Sequence, residues 1–305
     1  MRLMDIYLPI AGQSVNALLI VVLGFLVGVL SGMFGVGGGF LTTPLLIFYG
    51  IPPTVAVASA STQITGASVS GAMVHMRRGG VDFKMAGVLI AGGLIGSVLG
   101  ALLFRLLQSS GQIDVVIDLL YVLILGGIGG LMVKDSVVNL GWLGSKPEAH
   151  RPRRNRWVAS LPLRWRFHSS GVYVSPIAPF AIGLATGMMT VFLGIGGGFI
   201  LVPAMIYVLG MPARVVIGTS LVMILTVTAG TTIVHAVTTR AVDIVLATLL
   251  LLGGVIGAQY GALLTTRMKP DYLRLALAVV ILLVALRMFL GLFWRPDEIF
   301  SIEYL

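Results

Sequence analysis

Two stretches of backbone, FGVGGGFLTTP at 34–44 and LGIGGGFILVP at 193–203, each place four glycines inside otherwise apolar sequence. Glycine lets a ligand approach the main chain closely and tolerates backbone angles that other residues resist. If a short helix starts after each run, its first N–H groups, at Gly39-Phe40 and Gly198-Phe199, lack helical acceptors. The helix dipole then adds roughly half a positive charge at that end. The chemistry on offer is anion binding without a cationic side chain. The residues assigned to such a cradle are Gly35, Gly37, Gly38, Gly39 and Phe40, then Gly194, Gly196, Gly197, Gly198 and Phe199. Hydroxyls and one amide on the following apolar segment complete the set: Ser59, Ser61, Thr62 and Gln63, then Thr219 and Ser220. They can hydrogen-bond an oxyanion that enters partly dehydrated. The competing roles are close helix packing for the glycines and bonds to helix carbonyls for the hydroxyls. His75 and His235 occupy equivalent places near helix ends. Titration near neutrality would suit them to proton coupling, and capping a helix C-terminus is the competing role.

Several chemistries lack their parts. Asp and Glu occur at 5, 82, 114, 118, 135, 148, 243, 271, 297, 298 and 303, none in the middle of a predicted span. A carboxylate cage for sodium, a metal cluster or a buried acidic relay therefore has no obvious residues. There is no cysteine, so disulfides, thiolate catalysis and cysteine metal sites are excluded. No Walker sequence is present, and the glycines at 92, 93, 96, 100 and at 253, 254, 257, 261 follow no strand. They read as helix-packing faces, not as a nucleotide fingerprint. No cofactor is implied. Asp82 and Asp243 read as N-caps of the helices that follow them.

The elements that must position these groups are membrane helices. The chain of 305 residues is 57% hydrophobic and 10% charged, with a mean hydropathy of +1.04, which is the composition of a polytopic membrane protein. Apolar segments run over 14–50, 54–76, 84–107, 113–133, 176–209, 212–236, 242–264 and 271–293. The expected fold is all-α, with 8 to 10 hydrophobic helices in two homologous halves. The two glycine motifs share six of eleven residues. His75 corresponds to His235, Asp82 to Asp243, and GGLIGSVLGALL at 92–103 to GGVIGAQYGALL at 253–264. The expected organisation is a first repeat over 1–133, a basic cytoplasmic loop over 134–175 and a second repeat over 176–305. Residues 1–13 lack the marks of a cleaved signal peptide, so the first span is expected to remain as an anchor. In each half the glycine run breaks a long segment into one piece of spanning length and one of about 12 residues, too short to span. Paired interruptions of this kind point to a transport site. Loop charges favour inverted halves: 77–84 is more basic than 105–113, whereas 237–242 is less basic than 265–271.

The net charge of +9 concentrates between the halves, in Lys134, Lys146, Arg151, Arg153, Arg154, Arg156, Arg164 and Arg166. A basic run with interleaved Trp suits an anionic inner leaflet better than nucleic acid, so the lipid bilayer is the expected partner.

Taken together, these residues resemble the sulfite exporter TauE/SafE family, also called the toluene sulfonate uptake permeases. The resemblance rests on the paired G-x-GGG-F-x-x-x-P motifs, the Gly-x-Pro turns at Gly50 and Gly210, the basic central loop and the terminal RLALAVVILLVALRMFLGLF. It implies a multi-pass protein of the bacterial inner membrane that carries sulfite, sulfonates or related small sulfur anions, with no enzymatic activity. A homo-oligomer is compatible with that class. The half-sites differ, Gly218-Thr219-Ser220-Leu221 facing Ala58-Ser59-Ala60-Ser61-Thr62-Gln63. A passive anion channel is the alternative, and an intramembrane enzyme a more distant one.

Overall fold

The computed structural model describes residues 5–34, 38–77, 79–139, 162, 164–167, 169–265 and 270–293. Among them are ten helices: α1 (Ala17–Phe34), α2 (Gly39–Phe48), α3 (Pro53–Arg77), α4 (Phe83–Ser109), α5 (Ile113–Asn139), α6 (Ile177–Leu193), α7 (Gly198–Tyr207), α8 (Ala213–Thr238), α9 (Ile244–Thr265) and α10 (Pro270–Phe293). Four of these are long and apolar enough to cross a bilayer, and five shorter stretches are apolar. This is a polytopic all-α membrane protein. Each interrupted segment resolves as the sequence predicts, into α1 with α2 and α6 with α7. Two short antiparallel hairpins, absent from the sequence expectation, precede α1 and α6: β1 (Asp5–Leu8) with β2 (Gln13–Asn16), and β3 (Trp165–Phe167) with β4 (Val172–Val174).

The chain forms two compact units. The larger holds residues 1–113 and 148–270, and the smaller holds 114–147 and 271–305, hence most of α5 and α10. Within the smaller unit, Gly129 of α5 lies against Ile281 and Leu282 of α10.

In the larger unit the halves interlock. α1 packs along α9 of the other half, and α6 packs along α4. The seams are made by the predicted glycine faces. A Cβ at Gly253, Gly257 or Gly261 would overlap the carbonyl of Val21, Phe25 or Val29 respectively. At Gly92 and Gly96 it would overlap the carbonyls of Phe180 and Leu184. Lipid tails are as apolar as Leu, so hydrophobicity does not drive such pairs together. Small residues do, because they let two backbones approach closely.

The residue pairs also give directions. Numbers rise together along both seams, so α1 is parallel to α9 and α4 to α6. Between α3 and α8 they run oppositely, Thr62 meeting Thr232 at 3.4 Å and Thr65 meeting Thr228 at 2.9 Å. Equivalent helices of the two halves are thus antiparallel, and the repeats are related by an axis across the helices, the inverted arrangement.

The same symmetry builds two cores. One joins Leu8 and Val15 of the first hairpin to Leu46, Val55, Leu246 and Leu250. The other joins Phe167 and Val174 of the second hairpin to Met205, Val215, Met85 and Leu89. Each hairpin covers the α2–α3 or α7–α8 turn of its own half and the start of a helix from the other half. Because the repeats are inverted, the hairpins occupy opposite ends of the unit.

Candidate functional site

The N-termini of α2 and α7 meet where the halves cross. Gly38 and Gly197 are their N-caps, both left-handed, with φ 71° and ψ −24° and −13°. That conformation costs an L-residue roughly 1–2 kcal/mol, which explains glycine at both places. Phe40 and Phe199, two residues on, stack ring against ring with centroids 4.9 Å apart and planes 13° apart. Gly39 is closely packed, since a Cβ there would lie 2.6 Å from the Gly194 carbonyl oxygen. Residues 38–40 and 194–199 are all buried.

The caps leave backbone donors over. Leu41 and Thr42 donate to the Gly38 carbonyl, and Ile200 and Leu201 to that of Gly197. The N–H groups of Gly39, Phe40, Gly198 and Phe199 have no hydrogen bond among the described residues. Pro44 and Pro203 also offer no N–H to the carbonyls of Phe40 and Phe199, four residues back. Gly35 and Gly37 lie outside the described residues.

The assigned side chains divide by how they are spent. Gln63, buried mid-helix, accepts from Thr42 Oγ1 at 3.1 Å and donates through Nε2 to the Leu250 carbonyl at 3.5 Å. Ser61, Thr62 and Ser220 donate to the carbonyls of Val57, Ala58 and Ile217 in their own helices. Ser59 and Thr219 accept from the amides of Asp243 (3.2 Å) and Asp82 (3.0 Å), at the starts of α9 and α4. The residue that sequence reasoning passed over is Thr43. It is fully buried, its Oγ1 has no partner among the described residues, and it lies against Gly194. The signal lies in the comparison of halves: Thr42, Thr43 and Gln63 stand where the second half has Leu201, Val202 and Met223. At these three positions the polar side chains belong to the first half, while the second half brings the buried Thr186 and Thr190 against Gly197.

The two histidines differ. His235 is buried, and its Nε2 donates to the Val191 carbonyl of α6 at 3.1 Å. Its ring meets Phe104 edge-on at 5.2 Å. His75 is only partly buried, beside Gly218.

Asp82 and Asp243 cap α4 and α9 as expected, each Oδ1 accepting from the amide three residues on, Met85 or Leu246, at 3.1 Å. Their second oxygens do something that is not legible in the sequence. Asp82 Oδ2 accepts from the Ser170 amide (3.1 Å) and hydroxyl (2.8 Å), and Asp243 Oδ2 accepts from the Ile10 amide (3.1 Å). Each carboxylate latches the hairpin of the opposite half. Hydrogen bonds to a buried charge contribute about 1.5–3 kcal/mol each. Asp82→Ala is therefore expected to destabilise the protein by ~3 kcal/mol or more, and Asp82→Asn by less. A detergent melting curve for Asp82→Ala that overlays wild type would refute the latch.

A profile of the family described as sulfite exporter TauE/SafE matches residues 20–288. The chain is 29% identical over 269 residues to the "Probable membrane transporter protein YjnA" of Bacillus subtilis (strain 168), covering 88% of this chain and 98% of that one. It is 28% identical over 250 residues to a "Probable membrane transporter protein" of Xylella fastidiosa (strain 9a5c), with 81% and 84% covered. "Sulfite exporter TauE/SafE family protein 1" of Arabidopsis thaliana is 32% identical over 94 residues, 31% of this chain and 21% of the plant protein. No solved structure matches.

Proposed function

The chain belongs to the sulfite exporter TauE/SafE family, and on that premise we propose that this membrane transporter is a secondary carrier of a small sulfur-containing anion. The substrate class is sulfite, a sulfonate or a related oxyanion, and the membrane is the bacterial inner membrane. The carrying observation is the crossing itself: two helix N-termini whose first amides, like the Thr43 hydroxyl beside them, have no partner among the described residues, all of them buried. Four N–H donors and a hydroxyl suit the acceptor oxygens of a sulfo group, and two helix dipoles supply the sign. In this reading Gly38–Phe40 and Gly197–Phe199 hold the anion, Thr43 and Thr42 complete the shell, and Gln63 keeps Thr42 in place.

Burial of the crossing supports a carrier. Inverted repeats can exchange conformations, so that whichever end is open in one state closes in the other. The driving force would be the proton gradient or the anion's own gradient, since a negative interior favours exit of an anion. His75 is the better-exposed candidate for proton coupling, while His235 is tied to α6.

Flux in proteoliposomes tests the proposal. Saturating sulfite or sulfonate uptake with accelerated exchange against the same anion inside is expected. Unsaturating conductance would show a passive channel, and indifference to all sulfur anions would remove the substrate class.

A further inference from the structure

The inverted repeat supplies an internal control for surface chemistry. Leu8 and Phe167 are 159 positions apart, as are Val15 and Val174, and both pairs are buried in equivalent cores. The hairpins share one register, Tyr7 facing Ser14 and Arg166 facing Tyr173. Both are latched by an aspartate N-cap. The fold therefore asks the same of both hairpins, and residues that differ between them answer to something else.

They differ in charge. Where the second hairpin and the start of α4 have Arg164, Trp165, Arg166 and Lys84, the first hairpin and the start of α9 have Asp5, Ile6, Tyr7 and Val245. The cationic set is also concave. Lys84, Arg164 and Arg166 line a cavity of about 700 Å³ with Phe83, Trp165 and Tyr173, and Gly87 and Val88 continue it one turn further along α4. A Cβ at Gly87 would meet nothing within 4 Å, so the glycine leaves that side open.

The cavity opens where a spanning helix begins. α4 starts at Phe83, which is 60% exposed, and its outward face continues with the exposed Ile95, Val98, Leu99 and Leu102. Half-exposed Trp and Tyr are the side chains that favour the headgroup level of a bilayer. Basic pockets at that level on the cytoplasmic side suit anionic headgroups. A loop whose only task was orientation would need charges but no cavity.

We propose that this pocket holds the phosphate of an anionic glycerophospholipid from the leaflet on the side of the basic loop. Lys84, Arg164 and Arg166 face the headgroup, and the acyl chains run along the outer face of α4.

The test uses the full chain in nanodiscs of phosphatidylcholine with graded phosphatidylglycerol, and counts retained lipids by native mass spectrometry. Wild type is expected to retain phosphatidylglycerol in preference to phosphatidylcholine. Each cation removed should weaken retention about fivefold, so the double variant Lys84→Gln with Arg166→Gln should lose roughly 25-fold. Lys84→Arg with Arg166→Lys should restore it. Ser14→Asn on the other hairpin should change nothing. Equal retention by the charge-neutralised variant, with its melting temperature unchanged, would overturn the proposal. So would displacement of the lipid by millimolar inorganic phosphate, which would identify a site for a soluble anion.

Discussion

Gly197→Ala is expected to lower transport at least tenfold while leaving a folded protein. The N-cap angle of φ 71° admits alanine only at a cost of roughly 1–2 kcal/mol. An added Cβ would also lie 3.1 Å from Thr186 Cβ and 3.3 Å from Thr190 Oγ1. The cheapest relief is to rotate the cap, which re-aims the amides of Gly198 and Phe199 that the cradle reading assigns to the anion. Losing one hydrogen bond to a charged ligand costs about 1.5–3 kcal/mol, and 1.4 kcal/mol is already tenfold in affinity. Stability falls by less, because the strain is confined to one cap. Gly38→Ala should act likewise, meeting Ser31 Cβ at 3.0 Å and Val27 Cγ1 at 3.2 Å. Initial rates of anion exchange in proteoliposomes, normalised to inserted protein, read the effect. Wild-type rates for both variants would remove the backbone cradle and leave the glycines as packing residues. Thr43→Val separates the roles further, since it keeps the shape and deletes a buried hydroxyl that has no partner among the described residues: weaker binding with a raised melting temperature is expected.

Gly257→Val is expected to act on the fold instead. The new side chain would start inside the Phe25 carbonyl and next to the Val29 amide, and backbone of a packed helix cannot step aside as a side-chain tip can. The α1–α9 seam would open along its length. Overpacking of this kind costs about 3 kcal/mol or more, which for a protein of this size corresponds to a fall of roughly 6–12 °C in melting temperature. Gly96→Val should do the same on the α4–α6 seam, where it meets Leu184. Gly87→Val in the same α4 meets nothing within 4 Å and is the control. Equal melting temperatures for Gly257→Val and Gly87→Val would contradict the seam.

Part of this architecture is legible in the order of residues alone. The break at each glycine motif follows from local cost, because four glycines in a helix and a 12-residue remainder cannot make one span. The capping roles of Asp82 and Asp243 are local too, each serving an amide three residues on. The glycine faces announce close helix contact but not its partner. Spacing by four says that a backbone comes near; it does not say that α1 approaches α9 and α6 approaches α4.

The hydroxyls show the limit most clearly. Ser59 and Thr219 have the chemistry of an oxyanion shell, yet they accept from the aspartate amides of the opposite half. Thr43, next to the assigned residues, is left without a partner among the described residues. Which hydroxyl is free depends on neighbours more than a hundred residues away.

By itself the amino-acid sequence determined the membrane class, the helix breaks and the caps, since each is written in composition, periodicity or spacing along one segment, and the duplication, which shows when the two halves are compared. Only the tertiary structure decided the exchange of helices between halves, the antiparallel sense of equivalent helices and the meeting of the two helix N-termini. In lipid every apolar face suits every other, so partner and direction come from the fit of one backbone against another, which no single segment contains.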